Sequence, residues 1–586
     1  MNWWIFKAGA NGLQQQQTDR LTGSTPAQFG PVIAISALAA SIVMFPLSSQ
    51  AASDPANPRL YQDRLKREKR PPEPPAPVAE QPGRAATAMP SVTAGEPVFL
   101  FRGATITGAT VLPQDLLAQV YRPYLGKEIS VPILAAIANR ITSIYQEHGY
   151  ALSRAIIPAQ DLAAGTITIE VIEGHVETVR FTGTAAERMD LSAYRDAITA
   201  EKPARLSTME RELLLISRLD GVHVGQPSLE EIGELSGRFI LSVETSFKPY
   251  DLAVALDNSG TRNVGRLQSF ARGVINSPFG LTGALTANVA GVVPTPREWA
   301  YGDVAYDHSI TPYARIGGSV SFGELHPDGL DRLIGTRKRQ FDMQLRGSYI
   351  LRLDRDSEWR IGSAFTYGNF DEVNFGGIFS RDRTRTIQLN THYFQTLPAK
   401  GWVLGSLAVE QGLDIFGASQ RNDLRLSTVD GDPRFTKATA NLKWVQPLPM
   451  SFSLALDASG QVSASPLLTG DEFFLGGQRF GKGYDPGLLT GDAGAAASIE
   501  LRYGKPVDWQ LLREWQLFGF YDGGAVWDRG STDPRTSLAS AGLGLRLGFP
   551  YEFNLSVDVA FPLTYETPGT DHGHRPRVNF SLSKSF

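Results

Sequence analysis

One segment has the spacing of a phosphate-binding loop. Gly476-Gly477-Gln478-Arg479-Phe480-Gly481-Lys482-Gly483 contains the pattern G-x-x-x-x-G-K. In a nucleotide site the loop amides cradle phosphates, and a Ser or Thr after the lysine holds Mg²⁺. Gly483 stands at that position here, and Tyr484-Asp485-Pro486-Gly487 cannot open a helix whose N-terminus would face a phosphate. Nucleotide chemistry is therefore disfavoured. His572-Gly573-His574 offers two metal-ligating side chains, but a site needs at least a third ligand, and a solvated loop tip is the simpler reading. The chain contains no H-E-x-x-H or G-x-S-x-G pattern and no cysteine, which removes thiolate zinc sites, disulfides and cysteine nucleophiles. The expectation is a protein that is not an enzyme and uses neither cofactor nor metal.

The 586 residues carry 56 basic and 60 acidic side chains, a net charge of −4. Without a cationic surplus to neutralise phosphates, a nucleic-acid partner is not expected. A mean hydropathy of −0.15 argues against a bundle of membrane helices. It leaves a transmembrane β-barrel open, because only every second strand residue must be apolar. The long apolar run is Pro31 to Leu47, followed by Ser49-Gln50-Ala51-Ala52-Ser53. Residues 1–51 read as an export signal cleaved after Ala51; a membrane anchor is the alternative, against which Pro46 and the small-residue site count. Export without cysteine points to the envelope of a Gram-negative bacterium.

Residues 52–70 hold a charged, Pro- and Gly-free stretch suited to a helix from Arg59, with Arg64, Lys66 and Arg67 among its basic residues. Residues 71–96 form a proline-rich, extended linker. Over 97–174 the order reads β-α-α-β-β: a strand at Val98–Arg102, a helix capped by Ser130 with Leu134, Ile137, Ile141 and Ile144 on one face, then strands at Ala155–Ile157 and through Ile167, Ile169 and Val171. The same order recurs over 175–249, with Ser207-Thr208-Met209-Glu210 as a capping box and Phe239, Leu241 and Val243 on the last strand.

After Tyr250 the period changes to two. Phe452/Leu454/Leu456, Leu543/Leu545/Leu547/Phe549 and Phe553/Leu555/Val557/Val559/Phe561 alternate with polar residues. Short turns at 354–358, 398–401, 447–449 and 550–552 alternate with longer polar connections at 324–337, 368–381, 413–433, 464–493 and 564–576. That asymmetry is the outer-membrane pattern, and about sixteen strands, each needing ~9–11 residues to span, fit within 250–586. The fold class expected is an all-β transmembrane barrel of about sixteen antiparallel strands, preceded by two α+β domains.

This order resembles the two-partner secretion transporters of the haemolysin secretion/activation (ShlB/FhaC/HecB) family, whose βααββ units are POTRA domains. The motifs carrying the resemblance are Tyr145, Gly149-Tyr150, Pro158, Gln160, Gly165 and Glu173-Gly174; Asp257-Asn258-Ser259-Gly260; Gly476-Gly477 through Gly483-Tyr484; Asp492, Gly494 and Glu500-Leu501; and Phe520-Tyr521-Asp522-Gly523-Gly524. The resemblance implies that the glycine-rich loop folds back into the barrel and meets the wall at Glu500, Phe520, Asp522 and Gly524. It places Lys482, where the family has arginine, opposite Asp522. It implies a plug helix at Arg59, Arg64, Lys66 and Arg67, and an insertion signal ending at Phe586. The implied function is an outer-membrane pore exporting a large β-helical haemolysin or adhesin, with activation of that passenger an open possibility. The implied partners are that passenger at the POTRA domains, the barrel assembly machinery, and outer-membrane lipid and lipopolysaccharide. An outer-membrane assembly factor is the alternative, since such proteins share POTRA units and the same loop.

Overall fold

Phe101 is fully buried and turns the chain inward at the start of the first unit. In the computed structural model, residues 99–261, 263–295, 298–530, 535–564 and 575–586 are described. The expected export signal, Arg59, Arg64, Lys66 and Arg67 of the expected plug helix, the expected linker, and the His572/His574 pair lie outside them. In place of the expected Val98–Arg102 strand the chain changes partner at Phe101-Arg102, whose amides donate to Lys127 O and Gly165 O, and two strands form: β1 (Phe99–Leu100) and β2 (Gly103–Thr107). Helix α1 (Gln114–Tyr121) follows, then β3 (Glu128–Ile129), which pairs with β1. Helix α2 (Val131–Glu147) starts with Pro132 in its first turn and Ser130 at its cap position, though the serine makes no side-chain cap bond. Strands β4 (Arg154–Ile156) and β5 (Thr166–Ile172) complete a sheet of order β2-β5-β4. Ile167, Ile169 and Val171 bury one face of β5 with Leu134, Ile137 and Ile141 of α2.

The second unit follows without a spacer. It comprises β6 (His175–Thr182), α3 (Ser192–Ala200), α4 (Leu206–Ser217), β7 (Val222–Val224), β8 (Ser228–Glu231) and β9 (Arg238–Phe247). β9 pairs parallel with β6 and antiparallel with β7 and β8. Ser207 does not cap α4. The Leu206 amide donates to Gly149 O at 3.0 Å, pinning the chain one residue earlier, and Arg205 takes the cap position without a side-chain bond. The two units are fastened by Arg154–Glu231 at 2.5 Å and by Arg205 donating to the Tyr150 hydroxyl at 2.9 Å.

The barrel begins with β10 (Tyr250–Asp257), β11 (Gln268–Asn276), β12 (Gly283–Val292) and β13 (Trp299–Ser309). It continues with β14 (Ala314–Leu325), β15 (Arg337–Leu353), β16 (Ser357–Asn374), β17 (Gly377–Leu397) and β18 (Gly401–Gly412). Next come β19 (Thr436–Pro447) and β20 (Phe452–Ser463), then a small hairpin outside the wall order, β21 (Phe473–Leu475) with β22 (Leu489–Gly491). The last five are β23 (Ala493–Pro506), β24 (Glu514–Trp527), β25 (Thr536–Phe549), β26 (Phe553–Pro562) and β27 (Arg577–Ser585). Sixteen of these close into one antiparallel barrel as β27 pairs back onto β10. Alternation sorts the two faces: Val304, Leu543 and Phe561 are exposed outward, while Gln268, Asp382 and Asn579 are buried inward. Strand β10 follows the two α+β units, so that end of the barrel and every short turn on it are periplasmic.

One expected loop is absent. Over 368–381 the strands β16 and β17 continue to a tight turn at Phe375-Gly376. Polar composition does not oppose a strand once it stands clear of lipid, and Asp371 ties the hairpin together through Arg381 and Arg383, each at 2.9 Å. The connection 413–435 covers the edge of β17, with the Ser419 amide donating to Arg383 O at 3.0 Å. At the opposite end the second unit docks on the barrel. Arg218 meets Glu358 at 2.9 Å, Arg315 pairs with Asp220, and Ile350 and Leu353 join the core around Leu213 and Ile216.

Candidate functional site

The connection between β20 and β23 turns into the lumen. Its β21–β22 hairpin packs against the inner wall, with Leu475, Phe480 and Leu489 closing on Ala496, Val526 and Leu538. Reversal at the hairpin tip requires glycine. Gly476 has φ +103°, and a Cβ there would sit 2.1 Å from Asp485 O. Gly477 follows at φ +86°.

Asp522 on β24 is fully buried and faces the loop. Its carboxylate accepts the Gly481 amide at 3.0 Å and the Lys482 amide at 3.4 Å, and also the Ser540 hydroxyl. Ser540 in turn accepts the Gly483 amide at 3.2 Å. Two wall side chains thus satisfy three successive loop amides.

The Lys482 ammonium takes a different partner from the one its position implies. Its Nζ lies 2.9 Å from Glu500 on β23 and 4.0 Å from the centre of the Phe520 ring. The expected side-chain pair with Asp522 is therefore corrected. Asp522 is occupied by backbone amides and a hydroxyl, and the four-carbon stem carries the ammonium past it to the next carboxylate. Glu500 also meets Arg502 at 2.8 Å and Arg546 at 3.0 Å, and Arg546 stacks over Phe518 at 3.8 Å. Asp558, held by Asn579 at 2.9 Å, faces Lys482 and Arg546. Three cations and three carboxylates are thereby gathered around the loop.

Further contacts carry the loop across the lumen. Arg479 reaches Asp457 on β20 at 2.7 Å and Asn441 on β19 at 3.2 Å. Gln478 bonds Ser259 after β10, and Asn579 on β27 donates to Lys482 O at 3.1 Å. The Tyr484 hydroxyl meets Thr564 Oγ1 at 2.7 Å, while Arg577 donates to Tyr484 O at 2.9 Å and pairs with Asp485. Gly476, Gly477, Lys482, Gly483, Tyr484, Glu500, Phe520 and Asp522 come together in this region. Gly524 lies farther along β24, where a Cβ would sit 2.5 Å from Ala495 O. Phe586 stands apart at the periplasmic end, its amide donating to Leu252 O at 2.8 Å. The candidate residues from the sequence omit Ser540, Arg546, Asp457 and Arg577. Period-two alternation marks these as inward-facing, since Arg546 lies between Leu545 and Leu547, but it does not show which loop atom each meets.

The remaining motifs hold the frame. Asn258 extends the ladder at the β10–β27 seam: its side chain donates to Val578 O at 2.8 Å and accepts the Phe580 amide at 2.8 Å. In the first unit Gln160 pairs with the Thr168 amide and carbonyl, at 2.7 and 2.8 Å. Glu173 accepts the Tyr145 hydroxyl at 2.8 Å, the Thr110 amide at 2.7 Å and the Val111 amide at 3.1 Å. Burial alone would raise its carboxyl pKa, but these hydrogen bonds outweigh burial and hold it below the usual range.

Comparison with known proteins agrees with this geometry. The family described as haemolysin secretion/activation protein ShlB/FhaC/HecB matches residues 378–547, and the ShlB-type POTRA domain matches residues 99–174. The heme/hemopexin transporter protein HuxB of Haemophilus influenzae strain 86-028NP is 24% identical over 491 residues, covering 80% of this chain and 84% of that protein. The hemolysin transporter protein HpmB of Proteus mirabilis is 25% identical over 425 residues, 70% of this chain and 73% of that protein. The structure of CdiB from Escherichia coli superposes with a TM-score of 0.71 at 18% identity, covering 92% of this chain and all of that one. The chain thus carries a ShlB/FhaC/HecB-type haemolysin secretion/activation segment and a ShlB-type POTRA domain.

Proposed function

We propose that this chain exports one large, separately encoded passenger through its barrel lumen, and that the glycine-rich loop governs passage. The observation that carries the reading is the closed barrel whose polar lumen holds the loop against β19 to β27, with two α+β units at its periplasmic mouth. Translocation of a secreted passenger across the outer membrane follows from the family. The finer reading is that the passenger is a β-helical haemolysin or adhesin, which the transporter exports with or without activating it. A periplasmic route offers no nucleotide, so net movement comes from folding of the passenger outside the cell. In this reading an unfolded chain adds to a POTRA sheet edge, where strand pairing supplies affinity.

The division of the chain belongs to the same proposal: signal 1–51, plug segment 52–70, linker 71–96, POTRA units 97–174 and 175–249, barrel 250–586. Basic residues Arg59, Arg64, Lys66 and Arg67 would enter the lumen at rest. Glu500, Phe520 and Asp522 anchor the loop, Gly524 sits on the same wall, and Phe586 addresses the barrel to its assembly machinery within lipid and lipopolysaccharide. No catalytic role is assigned to any of them. Deleting the gene and comparing proteins in the medium tests the reading. Loss of one large protein supports it; loss of many outer-membrane barrels instead identifies an assembly factor.

A further inference from the structure

The outward face of β14 to β17 changes character along its length. Its middle is apolar, and Met343, Leu345, Ile387 and Leu389 face lipid there, all exposed. Trp359 and its cross-strand neighbour Tyr393 end that band on the periplasmic side, and the row Met343–Tyr367–Arg385 ends it on the other. Beyond that row the same face, still strand, turns charged. Glu324, Arg339, Asp371 and Arg381 pair directly across β14, β15, β16 and β17. Asp371 lies twelve residues along β16 from Trp359, about 31 Å up the barrel axis at the usual rise and tilt, beyond an apolar band about 25 Å tall. The charged row therefore stands at the height of the outer-leaflet headgroups.

Five arginines meet two carboxylates on this face. Glu324 is shared by Arg339 at 2.9 Å and Arg337 at 3.6 Å, and Asp371 by Arg381 and Arg383, each at 2.9 Å. Arg385 meets no carboxylate. It lies over the Tyr367 ring at 3.4 Å and donates to Gly368 O at 2.7 Å, Thr384 O at 2.8 Å, Phe416 O at 3.2 Å and Asn369 Oδ1 at 3.2 Å, all uncharged. Its side chain is buried, so water screens its charge poorly. Arg337, Arg339 and Arg381 engage His326, Glu324 and Asp371 through Nε and remain at least two-fifths exposed. The planar Nη fork of each is left to take an oxyanion from outside. Other acids near by are held elsewhere. Glu372 and Asp382 meet Lys338 and the Ser427 hydroxyl on the lumen side. In the flanking turns Asp328 pairs with Arg332, Asp432 with Arg421, and Asp414 and Asp423 accept from Gln420. The extracellular ends of β12, β13, β18 and β19 present Gly291, Ala300, Gln411 and Thr436 on the outward face, so the basic surface belongs to β14 to β17 and not to their neighbours.

We propose that the outward extracellular face of β15 to β17, around Arg337, Arg339 and Arg381, is a binding site for the phosphate groups of outer-leaflet lipopolysaccharide. The inference uses the outer-membrane placement of the barrel and is independent of what passes through its lumen. Acyl chains lie against Leu345, Ile387 and Leu389, and the phosphates above them reach the arginine forks, which grip such oxyanions bidentately. The buried Arg385 charge, short of a carboxylate, also gains from an anion at this level. Anionic phospholipid offers the same phosphate chemistry, but it inhabits the opposite leaflet and carries fewer phosphates per molecule to span the two arginine groups around Glu324 and Asp371.

The test uses the full-length protein, purified in detergent. It is mixed with deep-rough lipopolysaccharide, with the same lipopolysaccharide after phosphatase treatment, and with phosphatidylglycerol, and bound lipid is measured by native mass spectrometry. Wild-type protein should hold the phosphorylated lipopolysaccharide at least ten-fold more tightly than either other lipid. Arg337→Gln/Arg339→Gln/Arg381→Gln should weaken that binding at least ten-fold, while Arg337→Lys/Arg339→Lys/Arg381→Lys, which keeps the charge, should retain more of it. Equal binding by wild type and the glutamine variant, indifference to dephosphorylation, or phosphatidylglycerol bound as tightly overturns the proposal. Should the glutamine variant not reach the folded electrophoretic form, the phosphatase comparison on wild-type protein decides alone. Passenger release is scored separately and bears only on the pore reading.

Discussion

The Lys482 ammonium lies 2.9 Å from Glu500, while the Lys482 amide points to Asp522 at 3.4 Å. One residue therefore joins two carboxylates on adjacent strands, one through its side chain and one through its backbone. This divides labour: Asp522 fixes the path of the loop, and Glu500 balances the charge that the loop brings into the lumen.

Glu500→Gln removes the carboxylate shared by Lys482, Arg502 and Arg546. Breaking a buried pair by deleting one partner costs about 3–5 kcal/mol. The loop is expected to detach, and single-channel recordings should show a larger or more frequent open state than wild type. Lys482→Arg keeps the charge and is expected to secrete like wild type, as judged by passenger in the medium.

Asp522→Ala leaves the amides of Gly481 and Lys482 without their acceptor. Each buried group left unsatisfied costs about 1–3 kcal/mol. Arg479 and Lys482 are themselves trypsin sites, so limited trypsin digestion of intact outer membranes should cut the variant within the loop at least ten times faster than wild type. Equal cleavage rates would show that the loop is held elsewhere.

Much of this arrangement was legible before any coordinates. Period-two runs such as Leu543/Leu545/Leu547 gave the barrel, because lipid on one face and water on the other impose strict alternation. For the loop and its wall, Gly476-Gly477 and Asp522 served only through the family resemblance they carry. The partner of Lys482 was not legible, because a flexible ammonium chooses among carboxylates by three-dimensional reach, and Glu500 and Asp522 face the same lumen from neighbouring strands. The continuation of β16 and β17 through 368–381 was hidden for a related reason: a strand clear of the membrane has no lipid face to imprint apolar alternation. Ser207 illustrates a third limit, since a tertiary bond from Leu206 to Gly149 moved the helix start past a good local cap signal.

Glu173 gives a pH prediction. Its pKa is lowered in the fold, so its contribution is fully present above the ordinary carboxyl value of 4.5 and is lost as pH falls through the lower folded value. Hydrogen exchange of the Thr110 and Val111 amides in the full chain should accelerate in that acidic window beyond the intrinsic trend. Glu173→Gln should abolish this extra pH dependence; its persistence would assign the effect to another group.

Asn258→Ala should weaken closure between β10 and β27, which share five paired positions from Ala253–Ser585 to Asp257–Ser581. Two backbone groups, Val578 O and the Phe580 amide, lose a partner. The temperature at which the folded barrel converts to its unfolded electrophoretic form should fall by several degrees, consistent with about 1–3 kcal/mol. An unchanged transition would show that the strand pairs alone hold the seam.

The most direct measurement asks which face of the wall the passenger touches. Asn390 on β17 lies on the lumen face and Leu389 on the lipid face, where it is 65% exposed. A photoreactive amino acid placed at each position, irradiated during secretion, should form passenger adducts at Asn390 and none at Leu389. Adducts at Leu389 alone, or at neither position while the passenger still reaches the medium, would contradict passage through the barrel.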